Sequence, residues 1–380
     1  MLSTVQNMSR SVCRGLVIET SQYVAESLAL HYCRKAARTR EVGVPRVGIR
    51  DVAALAGVAV GTVSHYLNHP DRVSDEKALR IRGAIETLGF VPSSAGRQLR
   101  LGVSAVVGYI APDVSNPYFA EIAESVERRA SELGLSIFLA NSHRSKERED
   151  AYLKVFEEHR VRGLIVSSHH PIEERLEAVR LRGTPSVLVG QRAHSAQQAS
   201  VSVDDEEGGR LVAGHLLEQG CRRLAFVGGP LDIPQVAARL AGAGEAVRTS
   251  GPATLEILPQ PDRTVEGGRE IGAVIASRPP ELRPQGVFAV NDLLALGILQ
   301  ELARAGIRVP EDLALVGYDD NVYAQASLIP LTTVRTRHVG FGVAVVDVLS
   351  DVLSGRSIDE PHRVFRPELV VRESSLTSRG

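Results

Sequence analysis

IRDVAALAGVAVGTVSHYLN, residues 49–68, decides how this chain is read. It divides into two short helices joined by a tight turn, the shape of a helix-turn-helix. Val52, Ala53 and Ala56 share one face of the first helix, with Leu55 beside them. Gly57 stands where the turn needs a left-handed or close-packed backbone. Val63, Tyr66 and Leu67 give the second helix an apolar stripe at i, i+3 and i+4. A third helix is expected from Ser74, an N-cap residue type, with Leu79 (or Ile81), Ile85 and Leu88 on one side and Gly89 as its stop. Three helices in about fifty residues bury a small core, which suits a module that leaves its second helix exposed to a DNA groove.

Composition sets the frame around this head. A length of 380 residues favours two or three domains, and 43% hydrophobic with 4% aromatic content excludes a disordered or fibrous chain. No apolar run approaches the roughly 20 residues of a spanning helix, so no membrane partner is expected. The net charge of -1 provides no global basic field, and DNA contact would use local charge and shape. Arg50, Arg72, Lys77, Arg80, Arg82, Arg97 and Arg100 give a modest excess over Asp51, Asp71, Asp75, Glu76 and Glu86. Cys13, Cys33 and Cys221 are scattered, odd in number and without metal-ligand spacing, which fits a reduced, cytoplasmic protein. Residues 1–45 stand apart. LVIETSQYVAESLALHY is too interrupted by Glu19, Ser21, Gln22, Glu26 and Ser27 for a secretory signal. The favoured reading is a poorly ordered tail or an over-long start; the sharper alternative is a basic arm on DNA phosphates, through RKAARTR.

Beyond Arg100 the chain alternates apolar strands with amphipathic helices. Ala105–Ile110, Ser136–Ala140, Gly163–Ser167, Ser186–Val189, Leu224–Gly228, Gly286–Val290 and Leu313–Tyr318 read as strands. Tyr118–Leu133, Gly209–Gln219 and Leu293–Ala305 read as helices, stopped by Gly134, Gly220 and Gly306. Repeated β-α-β units imply parallel sheets covered on both faces, and the length implies two similar subdomains. Ligands of such sheets sit outside the strands' carboxyl ends. That rule selects residues 113–119, 167–170, 190–192, 291–292 and 319–321 as cleft lining.

GVAVGTVSHYLNHPDRVSDEKALRIRGAIETLGFVP (residues 57–92) resembles the DNA-binding head of the lactose-repressor (LacI/GalR) family. The likeness continues through VGYIAPDVSNPYFAEIAESVE, RVRGLIVSS, VDDEEGGR, RLAGAGEAV, FAVNDLLALG, LALVGYDD and PLTTVR, in the family's order. It implies an α/β chain: an N-terminal all-α helix-turn-helix head, and a periplasmic-binding-protein-like core of two subdomains with parallel sheets. The expected boundaries are 1–45 for the extension, 46–91 for the head, 92–104 for a hinge helix or linker, and 105–374 for the core. Within the core, 105–205 plus 336–365 would form one subdomain and 206–335 plus 366–374 the other, the third crossing lying near Thr333–His338.

The resemblance assigns DNA contacts to Arg50 and to Ala59, Val60, Gly61, Thr62, Ser64 and His65 around the second helix. Ala59, Val60 and Gly61 stand where bases are read, yet none can make a bidentate base contact. Val60 can pack on a thymine methyl, Gly61 permits close approach, and Thr62 and Ser64 can serve phosphates. His65 replaces a common Arg; it is either a weaker, pH-sensitive contact or an ordinary exposed residue. In PSSAGRQLRL, residues 92–101, Leu99 falls at the family's minor-groove wedge, with Arg97 and Arg100 toward the backbone; a plain linker is the alternative. Gly96 replaces an Ala and lowers the helicity expected there.

For a small-molecule effector the resemblance selects Asn116, Tyr118, Phe119, Ser167, Ser168, Gln191, Arg239, Asn291 and Asp319. Aromatics give flat apolar area, while Arg, Asn and Asp together offer the donors and acceptors that sugar hydroxyls need. Gly190 replaces a common ligand-binding Asp and Thr336 a frequent Gln. A carbohydrate is favoured, a nucleobase or nucleoside second. His169 and His170 lack a third metal ligand at useful spacing and read as a solvated loop pair; no metal or cofactor is expected. The function implied is that of an effector-responsive transcriptional regulator, read as a repressor, binding a palindromic double-stranded DNA operator as a homodimer. A solute-binding protein of a transport system is the alternative, disfavoured by the head and by the missing signal peptide. An enzyme is disfavoured too, since no nucleophile elbow, P-loop or metal cluster is found.

Overall fold

The computed structural model describes residues 47–91, 104–336, 338–356 and 360–376. The expectations for the N-terminal extension, the hinge with Arg97, Leu99 and Arg100, and Cys13 and Cys33 lie outside the described residues. The chain divides into two compact units, Met1–Gly102 and Val103–Gly380.

The first unit contains α1 (Ile49–Ala56), α2 (Val60–Asn68) and α3 (Asp75–Leu88). Val52, Ala53, Ala56, Val63, Ile81, Ala84 and Phe90 form its buried cluster. At the start of α1 the Asp51 carboxylate accepts from the Gly48 N–H at 2.8 Å, placing negative charge at the positive end of the helix. Gly57 ends α1 at φ 62°, and the Val58 N–H returns to Ala53 O at 3.0 Å, which satisfies a terminal carbonyl. Arg80 of α3 donates to Gly57 O at 2.9 Å and braces the turn. Of the two alternatives at the start of the third helix's apolar side, Ile81 is fully buried and Leu79 is 73% exposed, because residues two apart on a helix face opposite sides. Ser74 occupies the N-cap as expected, though its side chain makes no capping bond.

In the second unit, one half contains β1 (Val106–Ala111), α4 (Pro117–Glu132), β2 (Ser136–Asn141), α5 (Lys146–Glu158), β3 (Gly163–Ser167), α6 (Glu173–Leu181), β4 (Ser186–Val189) and β5 (Ala199–Val203). The other half follows with α7 (Asp205–Glu218), β6 (Arg223–Gly228), α8 (Pro234–Thr249), β7 (Thr254–Pro259), α9 (Val265–Ala276) and β8 (Gly286–Ala289). It continues with α10 (Asp292–Arg304), β9 (Ala314–Val316), α11 (Val322–Ala326) and β10 (Thr333–Arg335). The chain then returns with α12 (His338–Leu353) and β11 (His362–Phe365), so the passage near Thr333–His338 is the second crossing and not the third; the third lies between β11 and β12 (Glu368–Val370), which pairs antiparallel with β10. Among the described residues the first sheet runs β11-β5-β4-β3-β1-β2 and the second β7-β6-β8-β9, both parallel throughout.

Both faces of the first sheet are covered, as expected of parallel strands. Val107, Tyr109, Ala111 and Ile165 pack with Ile122 and Val126 of α4 and with Phe341 and Val345 of α12. The alternate residues Ile110, Leu164 and Val166 pack with Leu153 and Phe156 of α5 and with Leu176 of α6. Gly134, Gly220 and Gly306 follow α4, α7 and α10 at positive φ, as expected of helix stops. β5 and β7 carry no continuous apolar run, since serines interrupt ASVSV and Glu256 interrupts TLEILP, so the apolar-run signal misses them, as it misses the short β10, β11 and β12. No described helix is long and apolar enough to cross a membrane.

Candidate functional site

The carboxyl ends of the two sheets face one cleft. Asn116, Tyr118, Phe119 and Ser167 line it from the first half, and Arg239, Arg263, Asn291 and Asp319 from the second. The space between these walls is narrow, about 70 Å³, and opens to solvent.

Arg239, on α8, is the centre of the polar wall. Its Nε donates to Asp205 Oδ1 at 2.8 Å and its Nη1 to Val290 O at 2.6 Å, while Asp319 Oδ1 lies 4.0 Å away. The guanidinium carbon sits 3.5 Å over the Tyr318 ring, a cation–π contact on a buried face. Burial pulls the Arg239 pKa down, but Asp205, Tyr318 and Asp319 together hold it above its ordinary value. Burial in turn raises both carboxyls against the pull of Arg239, Asp205 upward and Asp319 to about 7. Asp319 is 4% exposed and holds φ 109°, a conformation uncommon outside glycine. Its N–H is fixed by Val334 O at 3.0 Å.

Helix starts position the remaining residues. Asn116 caps α4, its Oδ1 accepting from the Tyr118 N–H at 3.1 Å, and Asn291 caps α10 through the Leu294 N–H at 3.0 Å. Tyr118 and Phe119 follow directly, their rings edge-to-face at 5.0 Å. Ser167 lies buried beside Tyr109. Ser168 lines the cleft, but its hydroxyl donates inward to Glu149 Oε1 at 2.8 Å, and Arg175 holds the other carboxylate oxygen at 2.8 Å. Gln191 lies outside the lining residues, its amide donating to Ser168 O. Gly190, at φ 83°, offers its carbonyl across the cleft to Gln235 Nε2 at 2.9 Å. Thr336 is buried and also outside the lining.

Four polar lining residues lie outside the sequence-based selection: Asp205, Gln235, Arg144 and Arg263. Asp205 follows β5 and Arg263 follows β7, so recognising those two strands would have selected both by the strand-end rule. His169 Nδ1 accepts from Arg263 Nη2 at 3.1 Å, and His170 Nε2 donates to Arg144 O at 2.9 Å. The pair is therefore engaged in hydrogen bonds, not merely solvated. Burial first, then the charge of Arg263, holds the His169 pKa well below its ordinary value, which leaves it a neutral acceptor.

On the first unit Arg50, Ala59, Val60, Gly61 and His65 are exposed, and Thr62 and Ser64 half-buried. Val60, at 41% exposure, leaves an apolar surface at the start of α2, and a Cβ on Gly61 would meet nothing within 4 Å. Lys77 and Arg82 of α3 are exposed as well.

Residues 48–93 match the family described as bacterial regulatory proteins, lacI family, and residues 213–375 match the periplasmic binding protein-like domain. Over 333 residues the chain is 31% identical to the ribose operon repressor of Escherichia coli (strain K12), covering 86% of this chain and 99% of that protein. Its fold is similar to that of the lac repressor dimer bound to operator and the anti-inducer ONPF, at 25% identity and a TM-score of 0.75, covering 87% of this chain and 99% of that one. It is also similar to the transcriptional regulator CelR in its cellobiose complex, at 30% identity and a TM-score of 0.64, covering 87% and 100%.

Proposed function

The chain belongs to the LacI family of bacterial regulatory proteins, and from that premise we propose that it represses transcription as a homodimer whose operator affinity is set by a small carbohydrate in the cleft. It is a DNA-binding transcriptional regulator with a periplasmic-binding-protein-like core. We read it as a cytoplasmic binding protein with no turnover, since the family is made up of regulators. A twofold protein reads a twofold site, so the operator is a palindrome. Ala59, Val60 and Gly61 face the bases, Arg50, Thr62, Ser64 and His65 the phosphates, and the sequence assigns Arg97, Leu99 and Arg100 to the operator's centre.

The observation that carries the effector reading is the Arg239–Asp205–Asp319 cluster at the strand ends, beside Asn291 and the Tyr118–Phe119 pair. It offers fixed donors, acceptors and an apolar face to a polyhydroxylated ring. The names of the ribose operon repressor and of the cellobiose complex support the same class. The test is selection of bound sequences from a random DNA pool at stated salt, with and without candidate sugars. A palindrome whose recovery changes with one sugar is expected. Binding without sequence preference that only fades with salt, under every condition, would overturn the reading.

A further inference from the structure

Three arginines face the cleft, and two of them have carboxylates at hand. Arg239 is paired with Asp205, and Arg144 Nε lies 3.9 Å from Asp113 Oδ2. Among the described residues no carboxylate pairs with Arg263. Its Nη2 donates to the neutral His169, its Nε is buried without a hydrogen-bond partner, and only its backbone carbonyl is otherwise engaged, by Asn291 Nδ2 at 3.1 Å. Burial first, then Arg239 and Arg144, pull its pKa down to about 10, while Asp319 and Asp113 pull the other way without pairing with it. The starts of α4, α8, α9 and α10 lie at the strands' carboxyl ends, adding partial positive charge on the same side. Asp319, the carboxyl that would offset this, is itself raised to about 7.

We propose that the effector is an anionic carbohydrate, whose carboxylate or phosphate docks on Arg263 with Arg144 beside it, while its hydroxyls meet Arg239, Asn291 and Asp319. This deepens the effector reading above and rests on it. The anion would replace His169 as the acceptor of Arg263 and satisfy the orphaned Nε in one fork-shaped contact. A neutral sugar would leave that buried cation unmatched, which is what selects against it.

Calorimetric titration of the full-length protein with matched sets tests this: D-glucose, D-glucose 6-phosphate and D-glucuronate, then D-ribose and D-ribose 5-phosphate. An anionic member should bind at least about tenfold tighter than its neutral counterpart, as a charge-assisted contact predicts. Arg263→Gln should collapse that ratio to near unity, while Arg263→Lys, which keeps the charge, retains part of it. Whether the phosphate or the carboxylate wins identifies the source of the anion. Equal or tighter binding of the neutral sugar, weakened by Arg239→Gln, would overturn the proposal and leave the effector site standing. An anion preference unchanged in Arg263→Gln would do the same. No binding by any neutral or anionic sugar would overturn both.

Discussion

Burial lifts the Asp319 carboxyl from an ordinary 3.8 to about 7, against the pull of Arg239. A folded pKa above the unfolded one has a defined sign. The group stabilises the folded core fully below about pH 4, and that contribution is lost as pH rises toward and past 7. Asp205 and Asp292, both raised by burial, act in the same direction. Asp319 is thus a destabilising charge at neutral pH, held where a sugar hydroxyl could be its donor. Asp319→Asn should therefore raise the Tm of the ligand-free protein more at about pH 8 than at about pH 5, while weakening effector binding. In the unmutated protein, affinity for a neutral sugar should rise about tenfold from about pH 6 to about pH 8 as this group ionises, an anionic sugar should gain less because the new charge repels it, and the variant's profile should be much flatter. Equal pH profiles in both proteins would remove Asp319 from the ligand's contacts. Asn291 and Asp319 were legible from the strand-end rule as well as from the family likeness of FAVNDLLALG and LALVGYDD, and Arg239 from the likeness of RLAGAGEAV. The pairing of Arg239 with Asp205 was not, because it depends on two helices meeting.

That meeting is set by backbone contact. A Cβ on Gly242 of α8 would run into Glu206 O of α7, and one on Gly209 of α7 into Arg239 O of α8. The two helices therefore touch where neither has a side chain, which brings Arg239 to within 2.8 Å of Asp205. Gly244, two residues along the same helix, has open space around its Cβ position. The two positions should respond with opposite signs. Gly242→Ala should destabilise by about 1–3 kcal/mol through overpacking and also weaken effector binding. Gly244→Ala should stabilise by up to about 1 kcal/mol through helix propensity. Thermal melts of both variants check this; a shift of the same sign would refute the close approach. Sequence reading fails at this scale for a physical reason. Strands buried on both faces, such as GLIVS of β3, announce themselves as apolar runs. ASVSV of β5 is equally buried, yet its serines interrupt the apolar run, and Ser200 is satisfied by tertiary contacts: its Oγ accepts from the Ala193 N–H at 3.1 Å and lies 3.0 Å from His362 Nδ1. Missing β5 and β7 hid Asp205 and Arg263 together.

Within the core, hydrogen bonds tie the two halves across the ligand cleft: Gln235 Nε2 to Gly190 O at 2.9 Å, and Arg263 Nη2 to His169 Nδ1 at 3.1 Å. They hold the cleft narrow, and a ligand that favours one separation of the halves over another shifts the equilibrium between them. A ligand that bridges both walls binds the closed form better, and can move operator affinity only by its preference for that form. Gln235→Ala deletes one cross-cleft bond worth about 1 kcal/mol, which shifts the equilibrium about fivefold toward opening. Effector affinity should fall, but a lost direct contact would have the same effect. The informative readout is operator affinity without ligand. A residue that only touches ligand leaves it unchanged, whereas a latch moves it in the direction opposite to the effect of ligand on the unmutated protein. Linkage adds a constraint: the factor by which ligand changes operator affinity must equal the factor by which operator changes ligand affinity. Titrating ligand into protein with and without bound operator, for the unmutated chain and for Gln235→Ala, measures both. A ligand-free operator affinity that shifts in the ligand's own direction would mean the open cleft is the ligand-favoured form, and would place the effector's decisive contacts on one wall alone.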